Sequence, residues 1–313
     1  MKKNIEMYDI ATIIINYNSS KLTQECIDSI IEKTSLTINF QIIVVDNCSE
    51  NEDYLSLKQF CDSHPFKSLQ LIRSKINTGF GGGNMTGHHF ANAKYIAFVN
   101  NDTLFLNDCL SILKLAIEKD ENIAVVGGQS YTEIGKRMMA FDHFASISKE
   151  LFGRDFLEKI NPKKYPKRKL EYTKPIKVNY VQGSFMLIRT SFFNEVGGFD
   201  TNIFLYYEET DLCIRLEKLG KTSYLIPEAR YIHYHGASTP KSILIKTELK
   251  ISLLYIIRKH YGYLSYCFLL NYLRLNYIFS SIFKPKYWHL LKVLLAGATL
   301  SKSLKTKQKI KQI

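Results

Sequence analysis

The amino-acid sequence predicts an α/β fold, with a mainly parallel sheet flanked by helices and a helical C-terminal appendage. Two observations carry this prediction. From residue 10 to residue 126, short apolar runs rich in β-formers alternate with stretches of helical periodicity, and after His235 the chain becomes helical and aromatic. Such alternation is typical of βαβ units, in which a helix crosses over between parallel strands. The 313 residues suffice for one large domain plus the appendage.

Strands are predicted at residues 10–16, 41–46, 69–73, 95–100 and 123–126, and helices at residues 21–33, 53–63, 83–93 and 108–119. A further apolar run at residues 178–189 predicts a strand that begins a second half of the domain. Residues 208–219 predict a helix that Gly220 ends. The basic, proline-containing stretch 154–177 is predicted to be a long loop.

The net charge of +13 is concentrated in residues 241–313, which hold fourteen Lys and Arg residues against one acid, Glu248. A charge excess confined to one quarter of the chain predicts a surface with its own partner. Six scattered cysteines without a CxxC pair indicate reduced, mostly buried thiols rather than a zinc or redox site. Because Glu6 and Asp9 interrupt any signal-peptide core, we expect the chain to stay in the cytoplasm.

Each of the first four predicted strands ends in a polar cluster, at residues 16–18, 46–49, 74–84 and 100–102. In an open parallel sheet, ligands bind beyond the carboxyl ends of the strands. We therefore expect the four clusters to converge on one site.

Two of these clusters suggest particular chemistry. Asn100 and Asp102 place a carboxamide and a carboxylate two residues apart, which suits oxygen ligands of a divalent cation on a diphosphate. The alternative is that Asp102 caps the helix that follows. The run from Asn77 to Asn84 has four glycines in five residues, which allow a ligand to approach the backbone or form a flexible turn. The run fits neither G-x-G-x-x-G nor a P-loop, so a dinucleotide-binding enzyme is disfavoured.

Three acids, Glu208, Glu209 and Asp211, begin the helix predicted at residues 208–219. The helix dipole favours acids at this end, and Asp211 is also spaced for an ion pair with Arg215. A carboxylate beside the preceding aromatic run would instead have a raised pKa that suits a general base.

His233 and His235 alternate, so both would face one side of a strand. At that position they are either structural residues or metal ligands.

Taken in order, these clusters resemble the family-2 inverting glycosyltransferases, particularly their bacterial rhamnosyltransferase-like and galactofuranosyltransferase-like branch. Each motif is weak alone, but their order and spacing over about 220 residues are specific. The resemblance implies a GT-A-type, Rossmann-like catalytic domain over residues 1–240, with a nucleotide-sugar half at about 1–127 and an acceptor half at about 178–240. The matching motifs are Ile15-Asn16-Tyr17-Asn18, Val44-Val45-Asp46-Asn47, Asn77-x-Gly79-Phe80-Gly81-x-Gly83-Asn84, Asn100-x-Asp102, Gln182-Gly183-Ser184, Gly197-Gly198-Phe199-Asp200, Glu208-Glu209-x-Asp211-Leu212-x-x-Arg215 and His233-x-x-Gly236-Ala237-Ser238.

The resemblance also implies roles for single residues. Mg²⁺ or Mn²⁺ is expected on Asp102 and His233, with Asn100 as a further candidate ligand where the family usually has an acid. Glu209 is expected to be the general base, with Glu208 and Asp211 as alternatives because many members have Asp at that position. The nucleotide sugar is expected to contact Tyr17, Asn18, Asp46, Asn77, Gly79, Phe80, Asn84, Asn101 and Gly183.

These roles imply a single displacement with inversion, in which Glu209 takes the proton of an acceptor hydroxyl and the metal stabilises the departing nucleoside diphosphate. By resemblance, the donor is dTDP-rhamnose and the acceptor is a lipid-linked or polysaccharide glycan of the cell surface. Transfer from a UDP-hexose or UDP-galactofuranose, and a non-catalytic nucleotide-binding module, are the alternatives. A two-carboxylate hydrolase is disfavoured because it needs a second acid across the sugar, and no such partner is apparent beyond the acids of residues 208–211. The oligomeric state is left open.

The basic aromatic segment 241–313 is expected to form helices that associate with an anionic membrane surface, at the inner face of the cell membrane. Residues 261–283 are rich in Tyr, Phe and Leu, but Asn271, Arg274 and Asn276 disfavour a spanning helix. Aromatic rings and the lysines of the tail from Ser301 onward suit the headgroup region. The alternative is that the helices pack on the catalytic domain or on a second subunit. A nucleic-acid partner is not expected, because the aromatics lie apart from the tail lysines.

Overall fold

The computed structural model describes residues 7–234 and 242–311. In these ranges the strands are β1 (Tyr8–Asn16), β2 (Phe40–Asp46), β3 (Leu69–Arg73), β4 (Ala93–Asn100), β5 (Thr103–Phe105), β6 (Ile123–Tyr131), β7 (Phe141–Asp142), β8 (Ile176–Val178), β9 (Tyr180–Val181), β10 (Phe185–Arg189) and β11 (Thr222–His233). The helices are α1 (Ser20–Lys33), α2 (Asn51–Ser63), α3 (Gly79–His88), α4 (Cys109–Ile117), α5 (Ile147–Phe152), α6 (Arg154–Ile160), α7 (Thr190–Glu195), α8 (Glu208–Lys218), α9 (Ile243–Phe283) and α10 (Trp288–Leu295). Short 3₁₀ turns lie at Pro285–Tyr287, Leu300–Lys302 and Leu304–Lys307.

A nine-stranded sheet in the order β3-β2-β1-β4-β10-β6-β11-β5, with β8 paired to β11, forms the centre of the domain. Strands β3, β2, β1 and β4 are parallel, as are β6 and β11, whereas β10 lies antiparallel between β4 and β6. Apolar side chains are buried on both faces, because helices cover both. The predicted mainly parallel sheet is confirmed.

The glycine run, which was predicted to precede a helix, is the beginning of that helix. α3 spans Gly79–His88 instead of residues 83–93. A Cβ on Gly79, whose φ is +75°, would lie 2.0 Å from the Phe204 carbonyl oxygen, and one on Gly87 would lie 2.5 Å from Cγ2 of Ile13. The glycines therefore let α3 pack closely on β1 and on the loop that precedes α8.

The single strand predicted at residues 178–189 is wrong: the structure divides it into three. β8 pairs with β11, β9 pairs with β7, and β10 alone enters the centre of the sheet. The chain turns between β9 and β10, where the Phe185 amide donates to the Gln182 carbonyl oxygen at 3.4 Å. A continuous apolar pattern does not reveal a turn of this kind, because Val178, β9 and most of β10 are all buried.

The loop predicted at residues 154–177 is wrong in its first part, which forms α6 and joins a cluster of ion pairs around buried Asp142 and Glu158. Arg154 donates to both carboxylate oxygens of Asp142, with Nη2 to Oδ2 at 2.7 Å. Arg168 donates from Nε to Oε1 of Glu158 at 2.8 Å, and both of these side chains are buried. Charged side chains can be buried when they are paired. For this reason the basic composition of the segment was not a reliable sign of a solvent-exposed loop.

The C-terminal appendage is helical, as predicted. α9 changes direction at Gly262, where φ is 88°. Before this kink, Ile251, Leu254 and Ile257 are buried in a cluster that includes Ile203 of the catalytic domain. After the kink, α9 packs on α10, and Arg274 donates to the carbonyl oxygen of Leu294 at 3.0 Å. Within the described ranges, no helix combines the length and apolarity needed to cross a membrane. The predicted domain boundary at residue 240 lies outside them.

The lysine-rich tail folds back onto the rest of the protein. Ser303 and the Leu304 amide donate to the two carboxylate oxygens of buried Glu248, at 2.6 and 2.7 Å. At its far end, Lys311 donates from its amide to the Lys75 carbonyl oxygen at 2.8 Å and from Nζ to Glu50 at 2.6 Å. These contacts attach the tail to the loops that follow β2 and β3.

Candidate active site

The carboxyl ends of β1, β2 and β4 lie side by side. The parallel register places Asn16 beside Asp46, and Ile15 beside Asn100. Asn16 donates from its side-chain amide to Asp46 Oδ1 at 3.0 Å and to Asp53 Oδ2 at 2.8 Å. The clusters that follow these strands are thus brought together, because parallel strands end at one edge of the sheet.

Asn47 organises the loop between β3 and α3. The sequence places it in a motif, but no role is predicted for this residue itself. Its Oδ1 accepts from the amide and the hydroxyl of Thr78, both at 3.0 Å, and its Nδ2 donates to Asn77 Oδ1 at 3.1 Å. Asn77 Oδ1 also accepts from the Gly79 amide at 2.9 Å. The signal that could have found Asn47 is its place directly after Asp46 at a strand end.

Several residues predicted to bind the nucleotide sugar surround this edge. Asn18 has a φ of 52° and is held by Ser49 Oγ, which accepts from its amide at 2.9 Å. Tyr17 is exposed beside it. Asn84, on α3, is 2% exposed, and its Nδ2 has no hydrogen-bond partner within the described ranges. A buried amide without a partner costs free energy, so this unsatisfied donor makes Asn84 a candidate contact for a ligand, and its role in binding the nucleotide sugar stays a prediction.

Asp46 and Asn101 make hydrogen bonds within the protein. Asp46 is fully buried, and in addition to Asn16 it accepts from the Ser49 amide at 3.3 Å. Asn101 donates to Ser19 Oγ at 2.7 Å and Thr23 Oγ1 at 2.9 Å, which ties α1 to the end of β4. These contacts give both residues a structural role, and direct contact with a nucleotide stays a prediction.

Phe80 faces the loop before α8. Its amide donates to the Phe204 carbonyl oxygen at 3.0 Å, and its ring meets the Phe199 ring edge-on at 5.8 Å. The start of α3 therefore connects the strand ends of β1 and β2 with the loop that precedes α8.

Asp102 and His233 lie together because β5 pairs with the end of β11, with His233 opposite Thr103. Nε2 of His233 is 3.2 Å from Oδ1 of Asp102, and both side chains are buried. The Tyr234 amide donates to the Asp102 carbonyl oxygen at 3.0 Å, which closes the pairing. His235 lies outside the described residues. The resemblance implies that both residues are metal ligands, and this assignment stays a prediction; the pairing of β5 with β11 explains how they meet.

The chemistry of this pair fits a divalent cation that is completed by a substrate. No group of three or more His, Cys, Asp and Glu side chains suited to a metal occurs in the part of the chain that the structure describes. A carboxylate and an imidazole do suit Mn²⁺, and Mg²⁺ is commonly bound through one or two carboxylates plus substrate phosphates. Asn100, half-buried at the end of β4, is a neighbour in the chain.

Glu209 is bound to the turn between β9 and β10. The Gly183 amide donates to Glu209 Oε1 at 2.9 Å, and a Cβ on Gly183 would lie 2.1 Å from that oxygen. The carbonyl oxygen of the next residue, Ser184, accepts from the Asn100 amide at 2.9 Å. The carboxylate of Glu209 and the strand end that carries Asp102 are thus attached to adjacent residues of one turn.

Glu208 and Glu209 both hold protons more tightly than usual. Burial raises the pKa of Glu209, and the N–H groups of its own backbone and of Gly183 moderate the shift. Burial raises the pKa of Glu208 well above its usual value, and repulsion from Glu209 adds to the shift. Glu208 is 1% exposed, and its Oε1 has no hydrogen-bond partner among the described residues.

Asp211 has the opposite electrostatic environment. Burial alone would raise its pKa, but a hydrogen bond from His260 and ion pairs with Arg215 and Lys259 outweigh burial and lower the pKa to about 2. Arg215 Nη2 lies 2.6 Å from Oδ2, while His260 Nε2 and Lys259 Nζ lie 2.8 and 2.7 Å from Oδ1. Asp211 therefore links α8 to α9 as an ion-pair residue.

Comparison with known proteins identifies similar chains. The family model described as glycosyl transferase family 2 matches residues 11–197. The rhamnosyltransferase WbbL of Escherichia coli K12 is 31% identical over 235 residues, which is 71% of this chain and 83% of that one. An N-acetylglucosaminyl-diphospho-decaprenol L-rhamnosyltransferase of Mycobacterium tuberculosis H37Rv is 44% identical over 62 residues, or 20% of each chain.

A solved structure shares the architecture. The mannosyltransferase PcManGT from Pyrobaculum calidifontis, in complex with GDP-Man and Mn²⁺, matches with a TM-score of 0.55 and 14% identity, over 94% of this chain and 86% of that one. This similarity confirms the GT-A-type α/β fold. With the family model matching more than half of its length, the chain belongs to glycosyl transferase family 2 and is a glycosyltransferase of glycan synthesis.

Proposed function

We propose that the enzyme transfers rhamnose from dTDP-rhamnose, with inversion, to a lipid-linked or polysaccharide acceptor in cell-surface glycan synthesis. One observation carries the proposal: Glu209 and the strand end with Asp102 are attached to neighbouring residues of the Gly183–Ser184 turn. A base and a metal site side by side suit a displacement in which the diphosphate leaves as the hydroxyl attacks. The names of the two relatives support the donor sugar, and that of the second supports a lipid-linked acceptor.

Glu209 is the proposed general base. Its raised pKa favours proton uptake from a hydroxyl closer to neutral pH than an ordinary carboxylate would allow. The Gly183 amide orients Oε1, which leaves Oε2 for the acceptor hydroxyl. Full burial of Glu208 and the ion pairs of Asp211 support Glu209 over these two alternatives.

Asp102 and His233 are the proposed ligands of Mg²⁺ or Mn²⁺. Their contact at 3.2 Å and their burial at the end of β11 support this assignment. When bound, the cation neutralises charge that develops on the leaving diphosphate. The Mn²⁺ complex of the mannosyltransferase with the same fold agrees with the proposal.

The nucleotide sugar is proposed to lie across the carboxyl ends of β1, β2 and β4. Tyr17 and Asn18 border this edge, and Nδ2 of Asn84 supplies an unused donor. Asn77 and the first turn of α3, which carries Gly79 and Phe80, are held by hydrogen bonds, and this lowers the entropic cost of binding.

We also propose that α10 and the part of α9 after its kink dock the enzyme on an anionic membrane surface, at the inner face of the cell membrane. Exposed apolar side chains on this part of α9 support the docking. Lys305 and Lys311 bind the catalytic domain, so the tail contributes less than the sequence suggests. Salt-sensitive co-sedimentation with anionic vesicles is expected, and failure to bind them would remove the membrane proposal.

A screen of dTDP-rhamnose, UDP-hexoses and UDP-galactofuranose by calorimetry, with and without Mn²⁺, tests the donor assignment. We expect dTDP-rhamnose to bind best and only in the presence of the metal. Asp102→Asn should bind it weakly, and Mn²⁺ should no longer increase its affinity. Preference for a UDP-sugar would overturn the rhamnose assignment. Absence of binding by every nucleotide sugar would overturn the proposed reaction.

A further inference from the structure

A cavity of about 490 Å³ lies between α5, α9 and the Pro285–Tyr287 turn. None of the residues assigned to the transfer reaction lines it. Its walls combine three lysines with tyrosines and polar side chains of α9, and its rim includes Phe283. A cavity of this size can hold the head group of a ligand.

The cavity carries an excess of positive charge. Lys246, Lys250 and Lys284 line it together with one acid, Glu150, which is 3.1 Å from Lys250. Within the described ranges, no carboxylate oxygen lies within 4.0 Å of Nζ of Lys246 or Lys284. Two ammonium groups are therefore available to an anion in the cavity.

Lys246 is held in place by Tyr287. Its Nζ donates to the Tyr287 hydroxyl at 3.1 Å and lies 4.3 Å from the centre of the same ring. Burial alone would lower the pKa of Lys246, but the tyrosines around it outweigh burial and raise the pKa, so the ammonium form is favoured. The lysine is thus charged and oriented before any ligand binds.

An apolar stripe begins at the rim of this cavity. Phe283 is 81% exposed, and Leu264, at the other end of the stripe, is 85% exposed. At 3.6 residues per turn, the stripe occupies an arc of roughly 100° on one side of α9. Its members are Leu264, Phe268, Leu275, Phe279, Ile282 and Phe283. A cationic cavity beside an exposed apolar stripe complements an amphiphile with an anionic head and a hydrocarbon chain.

One hydrophobic cluster connects the cavity to the residue before α8. Burial raises the pKa of Tyr207, which directly precedes the two glutamates, and the charge of Glu150 in the cavity wall adds to the shift. Tyr207 also packs on the hydrophobic cluster that Tyr272 and Tyr287 contact. A ligand with its head group in the cavity would therefore lie near the element that carries Glu209.

We propose that this cavity binds the diphosphate of a prenyl-diphosphate-linked acceptor, whose hydrocarbon chain lies along the apolar stripe in the membrane. Lys246 and Lys284 bind the diphosphate, and the sugar of the acceptor extends toward α8. The inference rests on the proposed function, because the acceptor class comes from there. It adds the site at which that acceptor is held.

The test uses the full-length protein and phosphatidylcholine vesicles that contain a small fraction of polyprenyl diphosphate. Matched vesicles contain phosphatidylglycerol at the same total charge. Binding of the wild type is compared with that of Lys246→Gln and Lys284→Gln. Lys119→Gln removes the same charge from an exposed position beyond α4 and is the control. Thermal unfolding checks that each variant is folded, and the exposed position of Lys284 makes its variant the safer of the two.

We expect the wild type and Lys119→Gln to prefer the diphosphate vesicles, and each cavity variant to bind them about tenfold more weakly, as loss of a charge-assisted hydrogen bond predicts. Three results would overturn the proposal: no preference of the wild type for the diphosphate, equal binding by all variants, or an equal loss on phosphatidylglycerol vesicles. The last result would identify a general phospholipid site.

Metal-dependent binding of the nucleotide sugar separates this inference from the proposed function. It should be unchanged in Lys246→Gln. Normal donor binding with no effect of the cavity variants on lipid binding would contradict the cavity assignment alone. Failure of the wild type to bind any nucleotide sugar would contradict the proposed reaction instead.

Discussion

The Gly183 amide donates to Glu209 Oε1 at 2.9 Å, and a methyl group at residue 183 would lie 2.1 Å from that oxygen. A side chain at residue 183 would therefore force the carboxylate of Glu209 out of its observed position. Because the Ser184 carbonyl oxygen accepts a hydrogen bond from the Asn100 amide, the same turn also sets the distance between Glu209 and the strand end that carries Asp102.

We expect Gly183→Ala to displace Glu209 and to lower kcat at least about tenfold, since small misplacements of a reacting group are costly. The KM for the donor should change little. In a double-mutant cycle, Gly183→Ala should add almost nothing to the loss caused by Glu209→Gln, because both act on one group. Additive losses would show that Gly183 acts through another residue.

Glu209→Gln keeps the shape of the side chain but cannot accept a proton. We expect kcat to fall by about 10² to 10⁴, with donor binding retained. Glu208→Gln is the matched control and should keep most of the activity. The base assignment is wrong if Glu209→Gln stays nearly as active as the wild type while Glu208→Gln or Asp211→Asn is inactive.

Asp102→Asn should abolish metal-dependent transfer and leave the fold intact, because it removes a charged oxygen ligand. His233→Ala should raise the Mn²⁺ concentration needed for half-maximal activity. Turnover is measured as a function of metal concentration, and circular dichroism monitors the fold. Unchanged turnover by Asp102→Asn in the presence of Mn²⁺ would remove Asp102 from the metal site.

The raised pKa of Glu208 makes stability depend on pH. Its stabilising proton is fully bound below the unfolded pKa, about 4.5, and is lost as the pH rises through the folded pKa. The free energy of unfolding should therefore fall from pH 5 towards pH 8. Glu208→Gln should flatten this fall and raise stability at the alkaline end. Urea denaturation at several pH values measures both effects, and parallel curves for the two proteins would contradict the assignment.

Truncation after Leu300 removes Ser303 and Leu304, the donors to buried Glu248. An unsatisfied buried group costs about 1–3 kcal/mol, so we expect a loss of that size in the free energy of unfolding. Truncation after Gln308 keeps both donors and should keep most of the stability. Equal unfolding free energies for the two truncated proteins would show that the Glu248 contacts contribute little.

The sequence predicted the parts of the fold that follow from local patterns. Alternating apolar runs located β1 to β4, and the parallel arrangement was enough to predict that their polar ends meet. The approach of His233 to Asp102 followed from the resemblance, whereas the pairing of β5 with β11 that causes it could not be read from either segment alone.

Long-range charge pairing explains what the sequence did not predict. Arg154, Glu158 and Arg168 resemble a solvated loop by composition, yet each finds a buried partner. In the same way, the basic tail looks free in the sequence, while Glu248 and Glu50 bind it from distant positions. Such partners come together only in the tertiary structure, so the hydrophobic periodicity of the sequence does not predict them.

The anomeric configuration of the first-formed product, read by ¹H NMR, tests metal-dependent inverting transfer by Glu209 most directly. The reaction contains dTDP-rhamnose, a lipid-linked acceptor and Mn²⁺. We expect a rhamnoside with the configuration opposite to that of the donor, formed only with a divalent cation and lost in Glu209→Gln. A product that retains the donor configuration, or equal product formation by Glu209→Gln, would contradict a single displacement assisted by this carboxylate.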